Sequence, residues 1–365
     1  QLPAVFAALY NNFSATPDGG QNWNDDTTNA TAVTTVAAAP PDGVHSGITV
    51  FGRTDGKIYR TTDYCASDLT LVLTATDAIV DIAWDPLNAT TVWALTAICN
   101  LYVSLDYGAT WYLIVNWRTS MSVSTIIGKK VAVEADGAVW VYGGTGVTNN
   151  GRPFIGRFVN GTPFGFAFIF GGELQTDLGS GATALAIVDA ANKHDGGGLT
   201  IILENYTAYN SGVRPIYHCA NPFVPTGWQR ATGLDAGVTL AGRYVVPDDV
   251  PGTFHAAFAD RDIWHSVDGV AWTVSANVMP VVTTDVIPNR CIWLREDAEG
   301  LRTVGTYLIA AQNTGATVGI YKSYDGLQTV DLFRPATGFA TWPASAQAKD
   351  LAVGPAQQAG GSAKI

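Results

Sequence analysis

Two aspartates sit in matching local sequences: Val80-Asp81-Ile-Ala and Lys349-Asp350-Leu-Ala. A carboxylate repeated in the same context could supply the acid–base pair of glycoside hydrolysis, provided both copies reach one opening. Asp177, Asp248 and Asp249 in connecting segments are further carboxylate candidates. The competing expectation is that a repeated Asp hydrogen-bonds neighbouring backbone and that the loop Asp residues cap turns. Other chemistry is thinly represented. His45, His194, His218, His255 and His265 show neither His-x-His nor His-Glu-x-x-His spacing, so no metal site is expected. Lys193-His194-Asp195 followed by three glycines reads as a hairpin tip, not a phosphate loop. There is no Gly-x-Ser-x-Gly elbow, and no cofactor is implied.

Cys65, Cys99, Cys219 and Cys291 are too few for a disulfide scaffold and lack the CxxC pattern. Cys65 and Cys99 fall in consecutive repeats and could pair, whereas Cys219 and Cys291 are expected to stay unpaired. Five Asn-x-Ser/Thr sequons, at Asn12, Asn29, Asn88, Asn160 and Asn205, all lie in expected turns, where a glycan could stand in solvent. Position 1 is Gln, not Met; a removed signal peptide is one reading and a trimmed chain the other. Together these features give the expectation of an extracellular or surface-exposed, glycosylated protein.

The elements that would position these residues are written as repeats. Thr16-Pro-Asp18-Gly-Gly-Gln-Asn-Trp23 and Ser104-Leu-Asp106-Tyr-Gly-Ala-Thr-Trp111 share the pattern S/T-x-D-x-G-x-x-W. Ser266-Val-Asp268-Gly-Val-Ala-Trp272 is one residue shorter, and Ser323-Tyr-Asp325-Gly lacks the final aromatic. Thr61-Thr62-Asp63 is a decayed copy. In each, hydroxyl and carboxylate can fold back onto turn amides, glycine takes positive φ, and Trp plugs the hairpin onto the layer below.

This pattern resembles the Asp-box (BNR repeat) of sialidases, Vps10-type receptors, xyloglucanases and seven-bladed photosystem assembly factors. The resemblance implies a β-propeller in which each box joins the third and fourth strands of a blade, on the face away from the binding site. It speaks to architecture and not to activity. The sialidase Arg-Ile-Pro type motif is missing, since Arg152-Pro153-Phe154 lies mid-chain. The arginine patch of the assembly factors has no counterpart as a sequence cluster.

The box aspartates recur at near-even intervals, and the gap from Asp106 to Asp268 holds three of them. Seven repeats of about 52 residues span the chain. One repeat serves as template: Ile79-Val-Asp-Ile-Ala-Trp, Thr91-Val-Trp-Ala-Leu, Asn100-Leu-Tyr-Val-Ser and Trp111-Tyr-Leu-Ile-Val are its four strands. Val5-Phe-Ala-Ala-Leu9 matches the second strand of that template, and Asp350 lies in the missing first. The expectation is an all-β, seven-bladed propeller of four-stranded blades. It covers residues 1–355, blade one combines 1–26 with 347–355, and 356–365 is a flexible tail. Trp117 and Trp342 fall between blades, where they could stack on a sugar or pack on a neighbour.

Composition narrows the function classes. A hydrophobic share of 47% excludes a disordered chain. With 20 Lys+Arg against 31 Asp+Glu, a nucleic-acid partner is not expected. No apolar run reaches the roughly 20 residues of a membrane span, so no membrane insertion is expected. The function expected is a non-catalytic propeller on a cell, filament or virion surface. It would bind a glycan or protein there, or assemble with copies of itself. A secreted polysaccharide hydrolase or lyase is the alternative.

Overall fold

The computed structural model describes residues 4–9, 13–17, 23–26, 31–40, 47–86, 88–134, 137–145, 152–159, 161–165, 186–192, 198–203, 216–221, 227–234, 242–247, 253–258, 263–274, 286–293, 307–313, 319–323, 331–335 and 348–354. These residues form seven four-stranded antiparallel sheets. Sheet I joins β28 (Ala348–Gly354) to β1 (Ala4–Leu9), β2 (Phe13–Thr16) and β3 (Asn24–Asp26). Sheet II contains β4 (Val33–Ala38), β5 (Thr49–Arg53), β6 (Lys57–Thr61) and β7 (Thr70–Thr74). Sheet III contains β8 (Ile79–Trp84), β9 (Val92–Thr96), β10 (Asn100–Ser104) and β11 (Tyr112–Asn116). Sheet IV contains β12 (Ile126–Val133), β13 (Val139–Thr145), β14 (Pro153–Val159) and β15 (Thr162–Gly165). Sheet V contains β16 (Ile187–Asn192), β17 (Leu199–Leu203), β18 (Ile216–Cys219) and β19 (Trp228–Arg230). Sheet VI contains β20 (Gly242–Pro247), β21 (Phe254–Phe258), β22 (Ile263–Ser266) and β23 (Trp272–Val274). Sheet VII contains β24 (Val286–Trp293), β25 (Tyr307–Asn313), β26 (Gly319–Ser323) and β27 (Asp331–Pro335).

The two ends of the chain meet in sheet I, where Val353 of β28 pairs with Val5 of β1. The first strand of each sheet packs beside the first strand of the next, in the order β28, β4, β8, β12, β16, β20 and β24, and β24 borders β28.

The core lies between sheets. Val92, Ala94 and Tyr102 of sheet III pack on Val50 and Ile58 of sheet II, while Trp93, Leu95 and Leu101 turn to Val131, Val139 and Val141 of sheet IV. Both faces of a central strand are therefore covered, which explains why β9 reads Val-Trp-Ala-Leu-Thr without polar alternation. The outer strand β11 instead exposes Tyr112, Leu113 and Ile114. A one-turn helix, α1 (Trp117–Ser120), follows β11, with Asn116 capping it through a bond from the Thr119 N–H. Trp117 is fully buried and meets Phe154 of sheet IV edge-on at 5.7 Å, so it packs on its neighbour and is not available to a sugar.

The second and fourth strands of the template repeat each begin one residue later than expected, at Val92 and Tyr112. The fourth strand of sheet IV is Thr162–Gly165. Gly161 takes φ +79° and makes a tight hairpin, so the strand starts immediately after it.

Candidate functional site

All seven first strands carry the same irregularity. Each slips by one residue against its second strand, leaving Thr34, Val80, Lys129, Val188, Arg243, Asn289 and Lys349 as bulged residues. The residue after each bulge falls at one common register: Thr35, Asp81, Lys130, Asp189, Tyr244, Arg290 and Asp350. A bulge re-aims the side chains beside it, and at five of these positions, Thr35, Asp81, Lys130, Asp189 and Asp350, the side chain reaches an adjoining first strand.

The three aspartates of this belt repeat one contact. Asp350 Oδ2 accepts the N–H of Val36 at 3.0 Å, Asp81 Oδ2 that of Val131 at 2.9 Å, and Asp189 Oδ2 that of Val245 at 3.1 Å. Each donor belongs to the first strand of the next sheet. Where threonine replaces aspartate, hydroxyls make the link. Thr34 Oγ1 donates to the Ile79 carbonyl at 2.6 Å, and Thr35 Oγ1 lies 3.2 Å from Asp81 Oδ1 and 2.9 Å from Asp350 Oδ2. Lys130 extends the belt, with Nζ 3.6 Å from Asp81 and 3.5 Å from Asp189. A hydrogen bond to an ionised group contributes about 1.5–3 kcal/mol, so these contacts stitch six neighbouring first strands together, from β28 through β4, β8, β12 and β16 to β20.

The structure thus brings the candidate carboxylates Asp81 and Asp350 to one hydroxyl, and adds Asp189. All three are buried, and each has an oxygen committed to backbone. Sequence reasoning did not single out Thr35, Lys130 or Asp189. A signal existed: Thr35-Val-Ala, Asp81-Ile-Ala, Lys130-Val-Ala, Asp189-Ala-Ala and Asp350-Leu-Ala share a small residue two places on.

The hairpins between third and fourth strands form a second set of contacts. In the 104–111 turn, Ser104 Oγ donates to Asp106 Oδ1 at 2.7 Å and accepts the Gly108 N–H at 2.9 Å. Asp106 accepts the N–H and hydroxyl of Thr110, and Trp111 Nε1 donates to the Gly108 carbonyl. Burial pushes the Asp106 carboxyl upward, but the bonds from Thr110 and Ser104 outweigh it and hold the group below its ordinary range. The 266–272 turn repeats this geometry with Ser266, Asp268 and Trp272. There burial again acts upward, while the Ala271 and Val270 amides, Ser266 and nearby His218 lower the Asp268 carboxyl. In sheet II, Thr61 and Asp63 make the equivalent turn, and Asp68 accepts further bonds from Thr61 and Thr62.

These turns also reach across sheets. Asn24 Nδ2 of sheet I donates to the Tyr64 carbonyl of sheet II at 3.0 Å, and Arg60 Nε of sheet II to the Tyr107 carbonyl of sheet III at 2.8 Å. Tyr64 and Tyr107, whose carbonyls accept these bonds, both have φ near +60° (58° and 59°). Between sheets V and VI, Gly269 lies against the His218 ring, where a Cβ would approach Nδ1 to 2.5 Å.

Cys65 and Cys99 do not form the disulfide considered from sequence, since both are unbridged thiols. The topology explains this. Cys65 follows a third strand and Cys99 follows a second, so they lie at opposite ends of their sheets. Cys99 is buried, and burial pushes its thiol well above the usual range. Cys219 is also an unbridged thiol, donating to the Asn221 carbonyl.

Asn88 is exposed in the 85–91 turn, with its Oδ1 accepting from the Thr90 N–H and hydroxyl at 3.2 and 2.7 Å. Trp23 is partly exposed ahead of β3. Asp18, Asp325, Asp177, Asp248, Asp249, Asn12, Asn29, Asn160, Asn205, His45, His194 and Trp342 lie outside the described residues. Among the described residues no three His, Cys, Asp or Glu side chains converge as metal ligands. No described helix is long and apolar enough to cross a membrane.

No protein-family model matches the chain, and no curated protein matches it either. Solved structures do. YCF48 bound to D1 peptide superposes with a TM-score of 0.55 at 14% identity, covering 89% of this chain and 95% of that one. YCF48 from Cyanidioschyzon merolae gives 0.56 at 13% identity, covering 86% and 94%. The fold is a β-propeller. With identities this low, the likeness extends to architecture and leaves the site to be argued from its own residues.

Proposed function

We propose that the seven sheets are the blades of one closed ring. In this reading β28 completes the first blade, and the 61–68, 104–111 and 266–272 turns are Asp-box hairpins. The pairing of β28 with β1 and the succession of first strands support that reading. Within it, the protein is a non-catalytic binding or assembly module, exposed at a cell, filament or virion surface. Its partner is a protein or glycan, or further copies of the chain.

The observation that carries this is the use made of Asp81, Asp189 and Asp350. A general acid or nucleophile needs an oxygen free to meet substrate, whereas these carboxylates hold the neighbouring strand. A protein partner also accords with the YCF48 structure, in which that propeller binds a D1 peptide. Surface exposure and glycosylation rest on the sequons, with the Asn88 turn offering an exposed acceptor.

A second reading, a polysaccharide hydrolase or lyase, draws on the same belt, because glycoside hydrolysis uses a pair of carboxylates brought to one opening. One experiment separates the two. The protein is isolated from its source and its native mass is measured by light scattering before and after deglycosylation, alongside a polysaccharide cleavage assay. A stable complex or homo-assembly with no cleavage supports the binding module. A monomer whose cleavage activity disappears in a folded Asp81→Asn variant overturns it.

A further inference from the structure

The outer strand of a sheet leaves one side of its backbone without a neighbouring strand, and such edges are ordinarily short, charged or proline-containing. Most of the outer strands follow that rule. β3 reads Asn-Asp-Asp, β15 contains Pro163, β27 contains Asp331, Arg334 and Pro335, and β19 and β23 stop after three residues. β7 and β11, on adjacent sheets, are five residues long and uncharged. β11 departs furthest. Tyr112, Leu113 and Ile114 are 58, 52 and 41% exposed, and Leu71, at the register of β7 that matches Leu113, is 46% exposed. The ladder to β10 slips at Ile114, and this bulge explains why three consecutive side chains face solvent in place of alternate ones.

The two ends of β11 differ in charge. At its start stands the 104–111 turn, where Asp106 Oδ1 accepts the Thr110 N–H at 2.8 Å, with Asp63 and Asp68 in the equivalent turn of sheet II. Arg60, the base at that end, donates Nε to the Tyr107 carbonyl. At the far end α1 carries Arg118, partly exposed, with its Nε on the Ile126 carbonyl at 2.9 Å. A two-fold axis through Ile114 lays two β11 strands antiparallel, so the acidic end of each meets Arg118 of the other and the apolar residues meet between them. Copies of net charge −11 repel over most of their surface, and an uncharged stripe flanked by opposite charges is where they approach at least cost. The area is small. Three half-exposed side chains offer on the order of 300 Å² of apolar surface, against roughly 800 Å² per partner in a standard interface. The bulge also limits backbone pairing to its flanks. A contact of that size is weak and reversible.

We propose that β11 is a self-association edge, at which two copies of the chain meet antiparallel about Ile114 in a reversible dimer. Tyr112, Leu113 and Ile114 form its centre, and Arg118 of each copy faces the acidic turn of the other. The proposal rests on the reading of the protein as a binding or assembly module, and it names the partner and the surface. A two-fold contact is closed, so this edge gives pairs and does not by itself grow a filament.

The test is sedimentation equilibrium of the full chain over a range of concentrations. A monomer–dimer equilibrium with a Kd between about 10 μM and 1 mM is expected. Ile114→Lys sets two like charges against each other at the two-fold axis and should weaken association tenfold or more. Circular dichroism confirms that the variant folds; if it does not, Leu113→Lys carries the same expectation. Val274→Lys, at an exposed apolar position on β23, should leave the equilibrium unchanged. A protein that stays monomeric throughout overturns the interface, as does an equal loss in Val274→Lys or a dimer indifferent to both β11 variants. A polysaccharide cleavage assay on the same sample keeps the two proposals apart. A monomer without cleavage overturns the β11 interface alone, while cleavage that disappears in a folded Asp81→Asn variant overturns the binding-module reading.

Discussion

Asp81 accepts the backbone N–H of Val131, fifty residues later, at 2.9 Å, and so fastens the first strand of sheet III to that of sheet IV. Removing the carboxylate strands a buried N–H and leaves Lys130 with one partner in place of two. Asp81→Ala is expected to cost about 3 kcal/mol, between the loss of a charged hydrogen bond and of a buried ion pair. Asp81→Asn should cost less, because its amide oxygen can still accept from Val131. Urea unfolding of the three proteins checks the order; an Asp81→Ala midpoint equal to wild type would remove the stitching role.

Cys65 stands where the 104–111 turn has Gly108. Its N–H donates to Thr61 Oγ1 at 2.9 Å, as Gly108 donates to Ser104, and its φ is 57°. A side chain in that region costs roughly 1 kcal/mol that glycine avoids. Cys65→Gly should therefore stabilise the fold by at most about 0.5 kcal/mol, after allowing roughly 0.5–1 kcal/mol for glycine's larger unfolded-state entropy. Differential scanning calorimetry reads the change. Alkylation of denatured protein without reductant should label both Cys65 and Cys99; a peptide linking them would contradict the unbridged pair.

How much of this was legible in the sequence depends on how local the signal is. The Ser104/Asp106/Gly108/Trp111 turn was readable because every partner lies within eight residues, and the structure shows the bonds those types imply. The strand Val92–Thr96 was readable from its apolar run. Asp81 and Asp350 could be aligned from their flanks, and a bond to neighbouring backbone was one of the two uses expected of them, but the donors could not be named, because Val131 and Val36 come from other repeats. Lys130 escaped notice for the same reason: it occupies the aspartate register with the opposite charge, which a motif search by residue type discards. The Cys65–Cys99 pairing failed because repeat adjacency says nothing about which end of a strand a turn occupies.

The hairpin carboxylates make stability depend on acid. Asp106 and Asp268 have carboxyls held below the ordinary range, so the unfolded chain binds protons more readily than the native one. Their contribution is complete above the ordinary carboxylate pKa of about 3.9 and is lost as pH falls through the lower native values. Thermal midpoints should be level with respect to these groups above about pH 5 and fall below about pH 4. Asp106→Asn should lower the midpoint at pH 7 and show a shallower fall in acid, since it has less to lose. An unchanged acid slope in that variant would show that the turn carboxylate is not stabilising.

Trp117 tests whether the link between sheets III and IV is structural. It is fully buried, packs edge-on against Phe154, and closes the cluster formed by Leu101, Val115 and Val139. Trp117→Ala empties a large volume in a tightly packed layer, with an expected loss of about 3–5 kcal/mol. Trp117→Phe keeps the edge contact and should lose roughly half as much. If Trp117 were instead a sugar platform, both variants would unfold like wild type and differ only in glycan affinity. Equilibrium unfolding followed by tryptophan fluorescence and far-UV circular dichroism distinguishes these outcomes. Coincident transitions at a lowered midpoint would place this residue in the packing between sheets.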